Sequence, residues 1–161
     1  LAERGLSSGY VTADSYDWFL DNLVNQAHAA GRAIDRAALR DLYVQIIVEA
    51  ANHAERTAVG ALGRSPAHMM LLHETDIAAL FIADAVAALR RDGWEIVSAD
   101  EAFRDPIAAI EPDTMFLGAG RVVAIAAARG DNPRTLVSQW NEEEFIARQF
   151  NSRVLHATDS Q

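Results

Sequence analysis

Two short apolar runs each break into a polar cluster, and each is followed by a stretch of helical periodicity. The first run, residues 9–13, reads Gly-Tyr-Val-Thr-Ala and ends in Asp14-Ser15-Tyr16-Asp17. The second, residues 67–72, begins after Pro66 and ends in His73-Glu74-Thr75-Asp76. A compact apolar run of this length between turn-forming residues reads as a buried parallel strand. The second run leads into a predicted helix over 77–91, closed by Gly93, and then into Trp94-Glu95-Ile96-Val97-Ser98, which reads as a third strand. Strand, helix and strand joined by short connections predict right-handed βαβ units and a parallel sheet, hence an α/β fold class.

Between the first two runs lies a large helical insertion, about residues 18–60. One helix is predicted over 18–30, stopping at Gly31, and a longer one over 35–58 with Asp35 as N-cap. Leu39, Leu42, Tyr43, Ile46, Ile47 and Ala50 recur on that second helix at the spacing of one buried face. Further on, Asp100 opens a short helix that halts before Pro106. Residues 115–128 are Ala-rich and predicted helical, and 142–150 form a last helix. Gly118 and Gly120 lack the third glycine of a dinucleotide fingerprint, so close packing is the expected reason for them. Residues 1–150 read as one domain and 151–161 as a polar tail.

The chain has 161 residues, short of the roughly 250 of a complete α/β barrel. Its net charge is -9, and its arginines are scattered singly, so a nucleic-acid partner is not expected. There is no cysteine, which excludes disulfides, thiolate metal sites and a Cys nucleophile. No apolar run approaches the roughly 18 residues of a membrane span.

In parallel α/β folds, chemistry gathers at the C-terminal ends of strands, which singles out the two polar clusters. His73 follows four apolar residues, Met69 to Leu72, where a strand should emerge. An imidazole there can serve as general acid or base, or can be a strand-end histidine satisfied by backbone. Asp17 could set its charge state, because a nearby carboxylate favours imidazolium. Asp76 also reads as an N-cap for the helix behind it. His68 precedes His73 by an odd number of residues, which puts the two on opposite faces of a strand and argues against a shared metal. His28, His53 and His156 read as solvated surface residues. Neither Ser65 nor Ser98 lies in a Gly-x-Ser-x-Gly elbow.

These clusters resemble the last two motifs of the NodB-type polysaccharide deacetylases, carbohydrate esterase family 4. Val-Thr-Ala-Asp-Ser-Tyr-Asp-Trp, residues 11–18, is similar to the family's Asp-x-x-Asp-Trp motif, and Met-Met-Leu-Leu-His, residues 69–73, to its Leu-x-His motif. The stretch Gly-Trp-Glu-Ile-Val-Ser-Ala-Asp-Glu-Ala-Phe-Arg-Asp-Pro, residues 93–106, and Asp-Thr-Met-Phe-Leu-Gly-Ala-Gly-Arg, residues 113–121, resemble segments downstream of those motifs. The resemblance implies a distorted (β/α) barrel and a metal-dependent hydrolase that removes acetyl groups from a chitin-like glycan, peptidoglycan or xylan. It implies His73 as the general acid, Asp17 as the residue tuning it, Trp18 lining the substrate groove and Leu71 the acetyl pocket. A secreted, periplasmic or cell-envelope location goes with it.

The family's metal site is not matched. There is no Asp-Asp pair and no His-x-x-x-His spacing, and Arg64-Ser-Pro66 fits the family's Arg-x-Pro string only out of order. Leu-Ala-Glu-Arg-Gly, residues 1–5, reads as the end of a helix closed by Gly5. The expectation is therefore the C-terminal part of a longer deacetylase, whose divalent metal, commonly zinc, binds in the parent and not in this stretch. The alternative is a non-catalytic, glycan-binding or structural domain of the same kind.

Overall fold

The structure, a computed structural model, describes residues 2–5, 9–114, 116 and 119–155. It is mostly helical, with two short parallel strands. In chain order these are β1 (Ala13–Asp14), α1 (Asp17–Ala29), α2 (Arg36–Leu62), β2 (Met70–Leu71), α3 (Asp76–Arg91), α4 (Ala99–Ala102), α5 (Arg121–Ala128) and α6 (Glu143–Arg153). Single 3-10 turns lie at Ala2–Arg4, Pro106–Ala109, Pro133–Thr135 and Gln139–Asn141. Gly5 follows the first of these turns at φ +66°. The expected parallel pairing is present, with Ala13 opposite Met70 and Asp14 opposite Leu71.

Contacts divide the chain into two compact units. The first comprises Leu1–Asp14, Ala51–Leu71 and Val97–Val137, and the second Ser15–Ala50, Leu72–Ile96 and Ser138–Gln161. In the first unit, Ala54, Ala58 and Ala61 of α2 form a stripe of small residues packed with Val122, Val123 and Ala126 of α5, Tyr10 and Ile107. Helical residues three and four apart share a face, which is why alanines at this spacing bury together. Gly120 precedes α5 at φ +90°, and a Cβ there would lie 2.9 Å from the Val11 carbonyl oxygen. Arg121 N–H donates to that same oxygen at 2.6 Å. Gly120 thus serves a close backbone approach to the segment entering β1 rather than helix packing; Gly118 lies outside the described residues.

The same unit is tied by one carboxylate. Asp105 takes both arms of the Arg64 guanidinium, at 2.6 and 2.9 Å, and accepts from the Ile107 and Ala67 amides at 2.8 and 3.0 Å. Arg64, chiefly, and those amides hold its carboxyl well below the usual carboxylate range, against the opposing effect of burial. Arg64 of the out-of-order Arg-x-Pro string therefore has a structural partner that its sequence neighbours do not show.

In the second unit, Leu39, Leu42, Tyr43, Ile46, Ile47 and Ala50 of α2 are all buried, as their spacing predicts. Leu20 of α1, Ile77, Phe81 and Ala85 of α3, and Ile146 and Phe150 of α6 are buried in the same unit. Asp35 caps α2, accepting from the Ala37 and Ala38 amides at 2.9 and 3.0 Å.

Three expectations are corrected. Residues 94–98 form no strand; Ile96 and Val97 are exposed, and strand-like composition without a partner ladder cannot hold an extended pair. Asp76 is not the N-cap of α3: Thr75 is, its hydroxyl accepting from Ala78 N–H at 3.2 Å, while Asp76 is the first helical residue. The polar stretch from Asn151 is not a tail at its start: α6 runs to Arg153, Val154 and Leu155 are buried, and Leu155 bridges to Ile34. Residues 156–161, with His156, lie outside the described residues.

The depressed Asp105 carboxyl gives a signed prediction. A group whose folded pKa is lowered stabilises above its unfolded value of about 3.9 and loses that contribution as pH falls below it. Asp105→Asn should cost about 2 kcal/mol near neutral pH, from lost charge-assisted hydrogen bonds. The loss should shrink as pH drops below about 4. Denaturant melts of both proteins between acid and neutral pH check this; a pH-independent difference refutes it.

Candidate functional site

The site is built from the residues that follow the two paired strands. Asp17 opens α1, and its side chain is fully buried. One carboxylate oxygen, Oδ2, accepts from the backbone N–H of His73 at 2.8 Å, and Oδ1 lies 2.8 Å from His73 Nδ1. The expected meeting of the two residues is present, and it is bidentate.

The carboxylate decides the chemistry of the ring. A carboxylate only accepts, so Nδ1 carries the proton donated to Oδ1 and Nε2 is the nitrogen left for other work. Asp17 holds backbone and ring of the same residue, which fixes His73 in both position and tautomer. The His73 side chain is 40% exposed while that of Asp17 is 0% exposed. One partner is therefore anchored in the core and the other open to solvent. Beside them is an open cavity of about 490 Å³, lined by His73, Leu72, Thr75, Ala78, Ala79 and Ile82, with acidic Glu74 and Asp76. Half of its lining is aliphatic and two of its polar residues are acidic, so it suits a neutral group with an apolar face next to the imidazole better than an anion.

Trp18 and Leu71 were also expected at the site. Trp18 is half-buried on α1, its ring 5.7 Å from that of Tyr16 and 5.7 Å from that of Phe19. Leu71 ends β2 in the first unit and is exposed.

Tyr43 was read from sequence only as part of the buried face of α2. Its ring packs 6.3 Å from Phe81, and its side chain is fully buried. Its hydroxyl has no hydrogen-bond partner among the described residues. Burial first, and the Asp17 charge second, push its phenol up to about 12.

Among the described residues, two of the three other histidines are engaged elsewhere. His68 is half-buried with its side chain 7% exposed, its Nε2 2.9 Å from Glu55 and its Nδ1 3.0 Å from the Thr12 hydroxyl. His53, expected on the surface, lies half-buried with Nε2 3.1 Å from the Leu136 carbonyl. A helical position facing α2's own neighbours looks solvated when the chain returning over it is far away in sequence. His28 is exposed. Among the described residues no group of three His, Asp or Glu side chains converges to hold a metal ion.

Asp17→Asn tests the geometry directly. An amide cannot accept both bonds with the strength of a carboxylate, so the variant should lose about 2 kcal/mol of stability. It should also leave His73 in a mixture of tautomers. Ring-nitrogen chemical shifts of His73 report the second effect, and an unchanged Nδ1–H tautomer in the variant would contradict the assignment.

Comparison with known proteins finds no matching family model, no matching curated protein and no matching solved structure.

Proposed function

We propose that this chain is the C-terminal part of a metal-dependent polysaccharide deacetylase, with His73 as its general acid. The observation that carries the reading is the buried Asp17 carboxylate clasping His73 by both ring and backbone, beside an open cavity with one aliphatic side. In this reading His73 acts as imidazolium. Nδ1–H stays on Asp17, and Nε2–H passes its proton to the leaving amine nitrogen or alkoxide oxygen as its bond to the acetyl carbon breaks. Asp17 would tune the acid-base pair and hold the ring in line. Trp18 would line the sugar groove and Leu71 the acetyl pocket. The two parallel strands and their following helices would be the last part of a distorted (β/α) barrel. A secreted, periplasmic or cell-envelope location belongs to the same proposal.

The family's divalent metal, commonly zinc, would polarise the acetyl carbonyl and activate water in the longer parent. The described residues do not fit that role: His73 Nδ1 is held by Asp17, and both ring nitrogens of His68 are within hydrogen-bond distance of Glu55 and Thr12. No step is therefore assigned to a metal held by these residues. The half-buried Tyr16, Trp18 and Phe19 cluster favours a second reading, a domain that stacks on glycan without cleaving it.

Acetate release from acetylated chitooligosaccharide, peptidoglycan and xylan, with zinc or cobalt added, separates the readings. The 161-residue chain should release none, and a longer parent carrying the metal ligands should release acetate. His73→Ala in that parent should lower turnover by about 10²–10⁴-fold. Robust metal-dependent release by the isolated chain overturns the fragment reading, and a parent indifferent to His73→Ala removes His73 from the mechanism. Glycan binding with no release from the parent favours the second reading.

A further inference from the structure

Met69 offers one carbonyl oxygen to three donors. The Thr12 amide lies 2.9 Å from it, the Thr12 hydroxyl 3.1 Å and the Ala13 amide 3.3 Å. A carbonyl oxygen carries two lone pairs, so the three compete. The Thr12 hydroxyl has a second outlet. It is buried at the entry to β1, where Oγ1 accepts from the Met69 amide at 2.8 Å and lies 3.0 Å from His68 Nδ1. A hydroxyl has one proton to donate. It goes to the Met69 carbonyl or to His68, not to both.

The far side of the His68 ring decides which. Nε2 lies 2.9 Å from Glu55 Oε2, and that oxygen also accepts from the Ser65 hydroxyl at 3.0 Å. A carboxylate only accepts, so Nε2 carries a proton whether the ring is neutral or charged. A neutral His68 then has a bare Nδ1, which accepts the Thr12 hydroxyl proton. An imidazolium has Nδ1–H, which donates to Thr12 Oγ1 and turns the hydroxyl proton toward the Met69 carbonyl. The arrangement is the reverse of that at His73, where Asp17 keeps the proton on Nδ1. Charged and titratable neighbours come from more than one side. Glu55 of α2 meets Nε2, while Asp105, itself paired with Arg64, and the Tyr10 hydroxyl reach the backbone of Ala67, the preceding residue. Arg64 and Asp105 neutralise one another, which leaves Glu55 as the charge in contact with the ring.

We propose that His68, Thr12 and Met69 form a proton-operated switch on the parallel strand pair: a proton arriving at His68 Nδ1 turns the Thr12 hydroxyl from the ring to the Met69 carbonyl. The Ala13 amide, the longest of the three bonds to that carbonyl, gives way first. Ala13 is the β1 residue opposite Met70, so the change falls on the strand pairing itself. The His68 side chain is nearly sealed, and Glu55, 30% exposed, gives the pair its edge on solvent. Every residue of the switch lies in the first unit, so it goes beyond the general-acid reading of His73 and does not depend on it.

Ring-nitrogen and amide-proton resonances of the 161-residue chain, followed between about pH 8 and pH 5, test the switch. At the upper end His68 should be the Nε2–H tautomer, with Nδ1 a hydrogen-bonded acceptor. As the ring gains its second proton, the Ala13 amide proton should move upfield in step with it. Thr12→Ser, which keeps the hydroxyl, should keep that coupling. Thr12→Val should abolish it while His68 still titrates. Three results in the unaltered chain overturn the proposal, whether or not the valine variant folds: a neutral Nδ1–H tautomer, a ring that holds one protonation state throughout, or an Ala13 resonance that does not follow His68. An Ala13 shift of equal size in Thr12→Val also overturns it, because the charge of the ring would then act without the hydroxyl.

Discussion

A backbone amide withdrawn from water must find an acceptor, and an extended segment cannot supply one to itself. The stretch from Ala67 to His73 meets this demand with little help from a sheet, since β2 pairs with β1 over two residues. Side chains complete the accounting. Asp105 takes the Ala67 amide, the Thr12 hydroxyl takes the Met69 amide at 2.8 Å, and Asp17 takes the His73 amide. Acceptors from two distant parts of the chain, residues 12–17 and Asp105, are thus spent on one short segment. The segment that carries the candidate acid is held mainly by polar side chains rather than by a ladder.

This arrangement explains how a solvent-open histidine can be fixed. A side chain on a loop usually has rotamer freedom to lose, and ordering it is costly. Here the cost is offset by a carboxylate that is itself immobile because it is buried at the start of a helix. The same two bonds set position and tautomer together. The adjoining cavity gives the imidazole an aliphatic side from Leu72, Ala78, Ala79 and Ile82 and a polar side from Glu74, Thr75 and Asp76.

The sequence made some of this legible and hid the rest for identifiable reasons. The helices were readable because their signals are local: Asp35 before a periodic run, the buried face from Leu39 to Ala50, the apolar spacing after Asp76. Asp17 and His73 could be paired because each is the polar residue that closes a β-prone run. The failures were non-local. Trp94 to Ser98 has strand composition, but strand formation depends on a partner that no nearby residue announces. Arg64 and Asp105 lie 41 residues apart, and Glu55 and His68 lie 13 apart across a helix end, so neither pairing leaves a mark in spacing. Thr75 was passed over because two capping residues stood side by side and only the helix's first turn decides between them. Tyr43 was hidden by its own pattern, since a tyrosine on an apolar stripe reads as bulk and its hydroxyl goes uncounted.

Helix α2 changes character along its length, and that has a consequence for how the chain can vary. Its earlier buried positions carry Leu39, Leu42, Tyr43, Ile46 and Ile47, and its later ones Ala50, Ala51, Ala54, Ala58 and Ala61. The bulky part is sensitive to loss of volume, because a truncated side chain leaves a cavity that neighbours only partly fill. The alanine part has almost nothing to truncate and is sensitive instead to gain, because an added methylene must displace packed atoms. One continuous helix therefore imposes two opposite rules of drift. Its first half can tolerate only replacements that keep size, and its second only those that stay small.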